Sequence, residues 1–259
     1  MRAIAQCSVA VIGLAILATA GAALAADMPE APKVSAFAPV KDLSAQVASY
    51  LDKLDEAVKT EAEYKDTEGK VTKDANTLIL IALALGLHDE ENPYKEAAPG
   101  LMKAAQELAA AKDYAAAKAG VEAVRKAAEG KGGDAAQLKW TKVASLPELM
   151  KAVPLINSRL KRNLRQTAFK RKAKDNAGDS AVLAVIAQGS MPDTSEAKNP
   201  GDAEKWYKFC LQMREASAAL NKAVHDGKLD AAEAAMKNLN KSCDDCHEVF
   251  HKEAKKETE

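Results

Sequence analysis

Aromatic side chains are few in this sequence: they make up 4% of its 259 residues, and only two of them are tryptophan. Glycine is scarce as well, with 13 residues in the whole chain. A charge excess of either sign is missing, because 37 Lys and Arg balance 37 Asp and Glu. Each shortage excludes something. Few aromatics leave little from which strands are usually built, and the alanine, leucine, lysine and glutamate that replace them are helix formers. No glycine-rich phosphate loop, acid–base pair or nucleophile constellation stands out, so the chain does not read as an enzyme. A balanced charge gives no global field that would steer a polyanion.

Long apolar runs are absent too, with one exception. Met1-Arg2 precedes a run from Val9 to Leu24 that closes on Ala23-Leu24-Ala25. A positive start, an apolar stretch and an Ala-x-Ala site describe a secretory signal peptide over 1–25, cleaved after Ala25. The run is alanine-rich and slightly short for a membrane anchor. Cleavage leaves about 234 residues, enough for one large or two small domains, expected to be exported, periplasmic and without a membrane anchor. Cys7 leaves with the signal.

What is present is concentrated near the C-terminus, in Cys243-Asp244-Asp245-Cys246-His247. Two cysteines three apart, followed directly by histidine, read as a covalent haem attachment site. The thiols add to the haem vinyl groups and the imidazole of His247 takes one axial face of the iron. Two other readings exist. A redox-active Cys-x-x-Cys pair expects a βαβ setting, and a zinc site needs a fourth ligand, for which His251 is at hand. Haem attachment takes place on the exported side of the bacterial membrane, so the signal and the motif support each other. Cys210 is left as a lone thiol, a small core residue.

Helical periodicity organises the rest into two similar halves. After a Pro- and Ala-rich lead-in over 26–40, the first half (41–129) shows Leu43, Val47, Leu51, Leu54 and Val58 at helical spacing. Further helices are expected over Thr77–Leu87, Pro93–Ala111 and Asp113–Ala128. The glycine-bearing segment 130–141 is the linker. The second half (142–259) repeats the order, with helices from Ser145, over Asp179–Gln188, Asp202–His225 and Asp230–Glu253. Local echoes support duplication: Lys73–Leu80 parallels Ala177–Ala184, and Asn-Pro follows in each half, at Asn92-Pro93 and Asn199-Pro200. Aligning Asp113 with Asp230 sets Lys126, Glu129 and Gly130 opposite Cys243, Cys246 and His247, so one haem per chain is expected.

The motif's helix carries Leu229, Ala232, Met236, Leu239, Cys243, Cys246 and Phe250 on one stripe, and Trp206, Cys210, Met213, Ser217, Leu220 and Val224 form a matching one. Trp206 or Phe209 could touch a porphyrin, although core packing accounts for most of the stripe. At this point the chain resembles a known family. Cys243-x-x-Cys246-His247-x-x-Phe250 near the end of a four-helix pattern is similar to the class II c-type cytochromes, which include cytochrome c prime and its low-spin, Met-ligated relatives. The resemblance covers about residues 142–256. It departs at His251, where the family usually has arginine.

The resemblance implies an all-α fold of two tandem antiparallel four-helix bundles, with haem in the C-terminal one and a degenerate haemless copy before it. It implies Cys243 and Cys246 as thioether anchors, His247 as proximal ligand and Phe250 as haem packing. Met150, beside the core stripe Leu146, Leu149, Val153, Ile156, Leu160 and Leu164, becomes the distal ligand by the same resemblance, with Met191 and Met213 as further candidates and Val47 at the matching place in the first half. Ser145-Leu146-Pro147-Glu148 reads as a capping box with proline in the first turn, and Pro154 should bend this helix. The function implied is periplasmic electron transfer. The alternative is a five-coordinate, cytochrome c prime-like protein binding nitric oxide or carbon monoxide.

Eight basic residues and no acidic one occupy 159–174 (Arg159, Lys161, Arg162, Arg165, Lys170, Arg171, Lys172, Lys174). A solvated helix end, its cations favoured by the macrodipole, explains them. The sharper reading is docking of an acidic redox partner or contact with haem propionates. Phe169 is the only aromatic there, too few for nucleic-acid stacking. His88 and His225 read as surface residues at helix ends, and Asp89-Glu90-Glu91 as a polar loop. The expected assembly is a monomer or homodimer.

Overall fold

The computed structural model describes residues 27–131 and 133–251, and all of its regular structure there is helical. The signal peptide and Cys7 lie outside the described residues, as does the expected end of the last helix at Glu253. In chain order the α-helices are α1 Val40–Ala57, α2 Glu61–Gly86, α3 Ala98–Ala109, α4 Tyr114–Ala128, α5 Leu146–Asn163, α6 Gln166–Arg171, α7 Ala173–Ser190, α8 Asp202–His225 and α9 Leu229–Phe250. Among the described helices none is long and apolar enough to cross a membrane.

Two of these helices contain stretches that are buried on every side, and their sequence dictates where they go. From Leu78 to Leu85 α2 is wholly buried, and α7 is buried from Asn176 through Ser190. A helix with no polar face has to be surrounded. The two accordingly touch each other at the centre, and the amphipathic helices cover them. α1 packs on α2, α2 on α3, α3 on α4, and α4 back on α1; in the second half α5 packs on α7, α7 on α8 and α8 on α9. A continuous apolar core runs through both halves.

The contacts between halves are reciprocal. α1 lies against α7, while its counterpart α5 lies against α2, the counterpart of α7. Side chains repeat the pattern. Asn221 and His225 of α8 reach Asp42 at the start of α1, at 2.8 and 2.7 Å, and Gln106 of α3 donates to the Val143 carbonyl just before α5, at 2.9 Å. Element i touching j while j touches i is the arrangement of a two-fold dimer. Here it occurs within one chain.

Several sequence expectations shift. α2 begins at Glu61, well before Thr77, because Thr60 caps it: the Thr60 hydroxyl oxygen accepts from the Glu63 amide and donates to the Glu63 carboxylate, at 3.2 and 2.7 Å. Its first turns are polar all round and carry no periodicity to read. α3 starts at Ala98, since Asn92 turns the chain by accepting from the Tyr94 amide. The capping box at Ser145 does not form. Ser145 instead gives its backbone N–H to Asn76 at 2.7 Å, and Glu148 pairs with Lys151. The linker is stapled down: the Gly133 amide donates to the Glu96 carbonyl and Trp140 packs on Phe37.

His88 is not a surface residue. It is 2% exposed, with Nε2–H donating to the Ala38 carbonyl at 3.1 Å and Nδ1 accepting the Glu90 amide at 3.0 Å. His225 is exposed as expected, and Asp42 is its partner. Asp89 belongs to a cap on the lead-in, accepting from the backbone and hydroxyl of Ser35.

Candidate functional site

Four elements meet around one apolar cavity. α9 contributes Cys243, Cys246 and His247, which share one helix face because three- and four-residue steps superpose around the axis. α5 contributes Met150, Val153, Pro154 and Asn157 from the opposite wall, α8 contributes Trp206, Phe209, Cys210 and Met213, and α7 closes the floor with Ala187 and Ser190. Its empty volume, counting the open mouth and the solvent in it, is about 740 Å³.

α5 is held in place at both ends of the cavity. At its start, the Ser145 amide is fixed by Asn76 and the preceding Lys142 pairs with the buried Asp193 at 2.9 Å. Further along, Asn157 donates to Asn240 of α9 at 3.0 Å. Pro154 sits inside α5 without a backbone N–H, which leaves the Met150 carbonyl without its usual intrahelical donor. Trp206 is fixed on the far wall by donating Nε1–H to the Ser190 carbonyl at 3.1 Å.

Phe250 does not line the cavity. It packs edge-on against Trp206 and Phe209, with ring centroids 5.5 and 6.2 Å away, and so braces the wall. Met191 is fully buried in a small cluster with Leu146, Trp206 and Cys210 and does not line the cavity, whereas Met213 does. Met150 belongs to that same cluster and is half-buried at the cavity edge.

The electrostatics of the donor set are those of neutral ligands. All three thiols are free. Burial pushes the Cys243 thiol up, and burial together with the Cys243 charge pushes Cys246 up to about 12. Redox-active Cys-x-x-Cys pairs depend on a lowered thiol pKa, the opposite arrangement. Cys210 is raised further still by burial, which makes it an inert core thiol. Burial, with the neighbouring His251, lowers His247 and keeps its imidazole neutral. Two polar atoms on the cavity wall, Asn157 Oδ1 and Ser190 Oγ, are buried without a partner. Neither residue could be singled out from sequence, since each is an ordinary polar residue within an amphipathic or buried helix.

No residue of the basic stretch lines the cavity. Arg159 forks onto Asp179 at 2.7 and 3.0 Å, Lys172 pairs with Asp175, and Lys161 lies close enough to Cys243 for its charge to favour the thiolate. In the first half Val47 is fully buried.

No family model matches the chain, and neither a curated protein nor a solved structure is similar to it.

Proposed function

We propose that this chain is an exported c-type cytochrome of the class II kind, with one covalent haem in its second half, that passes electrons in the periplasm. The observation that carries the reading is convergence. Cys243, Cys246 and His247 on one helix and Met150 on another, distant in sequence, border one apolar cavity. The donor set fits a haem: two neutral thiols and a neutral imidazole on one face, a thioether across from them, and apolar walls between.

In this reading Cys243 and Cys246 would hold the haem from α9, and His247 and Met150 would be its protein ligands, an imidazole and thioether pairing that would favour the reduced state and raise the potential. A haem so held supplies a reversible one-electron couple. Trp206, Phe209 and Met213 keep water from the site, with Phe250 bracing the two rings from behind. In the same reading the chain forms two tandem four-helix bundles, with α6 as an additional short helix and the first bundle haemless.

The test is the absorption spectrum of the exported protein, ferric and ferrous, with and without carbon monoxide. Low-spin bands insensitive to carbon monoxide, lost in Met150→Ala, are expected. High-spin bands that shift with carbon monoxide would replace electron transfer by the five-coordinate gas-binding reading. Exported protein without covalent haem would sink both.

A further inference from the structure

α5 has two working faces. Met150, Val153, Pro154 and Asn157 line the cavity, and Ala152, Leu155, Ile156 and Arg159 line a groove on the other side, where the two halves meet. Only the thickness of one helix, about 10–12 Å, separates the two. Cations dominate the groove. Lys53, Lys70 and Lys73 of the first half face Arg159 in one open depression. Around Lys53 and Arg159 the groove continues into a second one, to which Arg162 and Lys172 are added.

Six cations there meet three carboxylates: Asp74, Asp175 and Asp179. Two of these are engaged, Asp179 by Arg159 and Asp175 by Lys172, and Asp74 is buried. Lys53 rests on the Tyr50 ring, 4.1 Å from its centroid, and its ammonium is lowered by burial and by the Arg159 charge. Among the described residues no carboxylate forms an ion pair with Lys70, Lys73 or Arg162, although the charges of Lys73 and Lys70 act on the buried Asp74. Leu155, an exposed large apolar side chain at 49%, stands at the groove. An apolar knob ringed by unpaired cations is the pattern of a protein interface, with a dry centre and a charged rim, and the charge excess selects an acidic counterpart. Two joined depressions extend further than one small anion would fill.

We propose that this seam is a docking site for an acidic segment of a partner protein, and that the first half contributes to it by supplying Lys53, Lys70 and Lys73. The proposal goes beyond the haem reading and does not depend on it. The seam exists in the folded chain irrespective of haem, and its test reads binding rather than redox state.

The test uses the full exported chain and a fluorescent poly-L-glutamate peptide, with inorganic phosphate as competitor. Binding should weaken as salt shortens the screening length. Lys70→Glu with Lys73→Glu should slow association by about tenfold or more. Lys70→Gln with Lys73→Gln should act in the same direction but less, which separates lost charge from misfolding. Lys103→Glu with Lys118→Glu, on the far helices α3 and α4, should leave binding unchanged. Three results would each overturn the proposal: seam variants that bind like this control, loss of binding only on reversing Lys170 and Arg171 of α6, or phosphate displacing the peptide at equal concentration, which would make the seam a small-anion site.

Discussion

The halves of this molecule share an order of helices and differ at one joint. In the first, α1 packs directly on α4, and Arg125 ties them by reaching Asp55 and, at 3.6 Å, Asp52. In the second, the corresponding α5 and α9 stand apart around a cavity and are bridged by Asn157 and Asn240. The helix ends differ in the same sense. α4 stops at Ala128, just short of the positions opposite Cys246 and His247, whereas α9 runs on to Phe250. The helix pair is therefore closed in the first half and open in the second, and the proposed haem site lies in the open one.

The sharpest way to break this comparison is at the motif. Cys243→Ser with Cys246→Ser should abolish covalent haem, read by haem staining of the denatured protein. Installing the motif in the first half, as Lys126→Cys, Glu129→Cys and Gly130→His, should add none, because α1 and α4 leave no space between them. A second stained band on a proteolytic fragment of the first half would refute the distinction.

Packing gives the next largest effect. Leu54→Ala, fully buried in the closed half, should cost about 2–5 kcal/mol. Val153→Ala on the cavity wall of the haem-free chain should cost about 1 kcal/mol or less, because an atom beside a void already lacks partners on one side. Denaturant titration of both variants measures the gap, and equal costs would mean that the cavity collapses in solution.

The two ties between the paired helices should behave differently. Asn157→Ala removes a hydrogen bond worth about 1 kcal/mol, with little dependence on salt. Arg125→Ala removes a half-exposed ion pair worth about 0.2–1 kcal/mol, and its effect should vanish at high salt. The smallest effect appears only in acid. The Ser35 hydroxyl and amide hold Asp89 down to about 2. A carboxylate lowered in the folded state stabilises above its ordinary range and loses that contribution as pH falls from about 4 toward 2. Ser35→Ala should flatten this part of the acid melting curve; an unchanged slope would remove Asp89 from the account.

Much of this was legible in the sequence, for identifiable reasons. α8 falls on Asp202–His225 as expected, because Trp206, Cys210, Ser217, Leu220 and Val224 recur at helical spacing and are all buried. Cys243, Cys246 and His247 line one cavity because side chains three and four apart on a helix share a face, whereas Met150 meets them only through the docking of α5, and Phe250 and Met191 do not line it. The misses are equally physical. The first turns of α2 are polar and aperiodic, so only the Thr60–Glu63 cap announces them. The burial of His88 depends on Ala38, fifty residues away. Ser145 finds a better partner in Asn76 than in its own helix. The cationic seam depends on how the halves dock, for which no local pattern exists.

The most direct test of the central claim is peptide mapping of the mature exported chain by mass spectrometry. The account predicts one haem per chain, attached through both cysteines of the peptide that contains Cys243 and Cys246, and none on any peptide of the first half. An unmodified Cys243–His247 peptide from protein made with the haem-attachment machinery would contradict it.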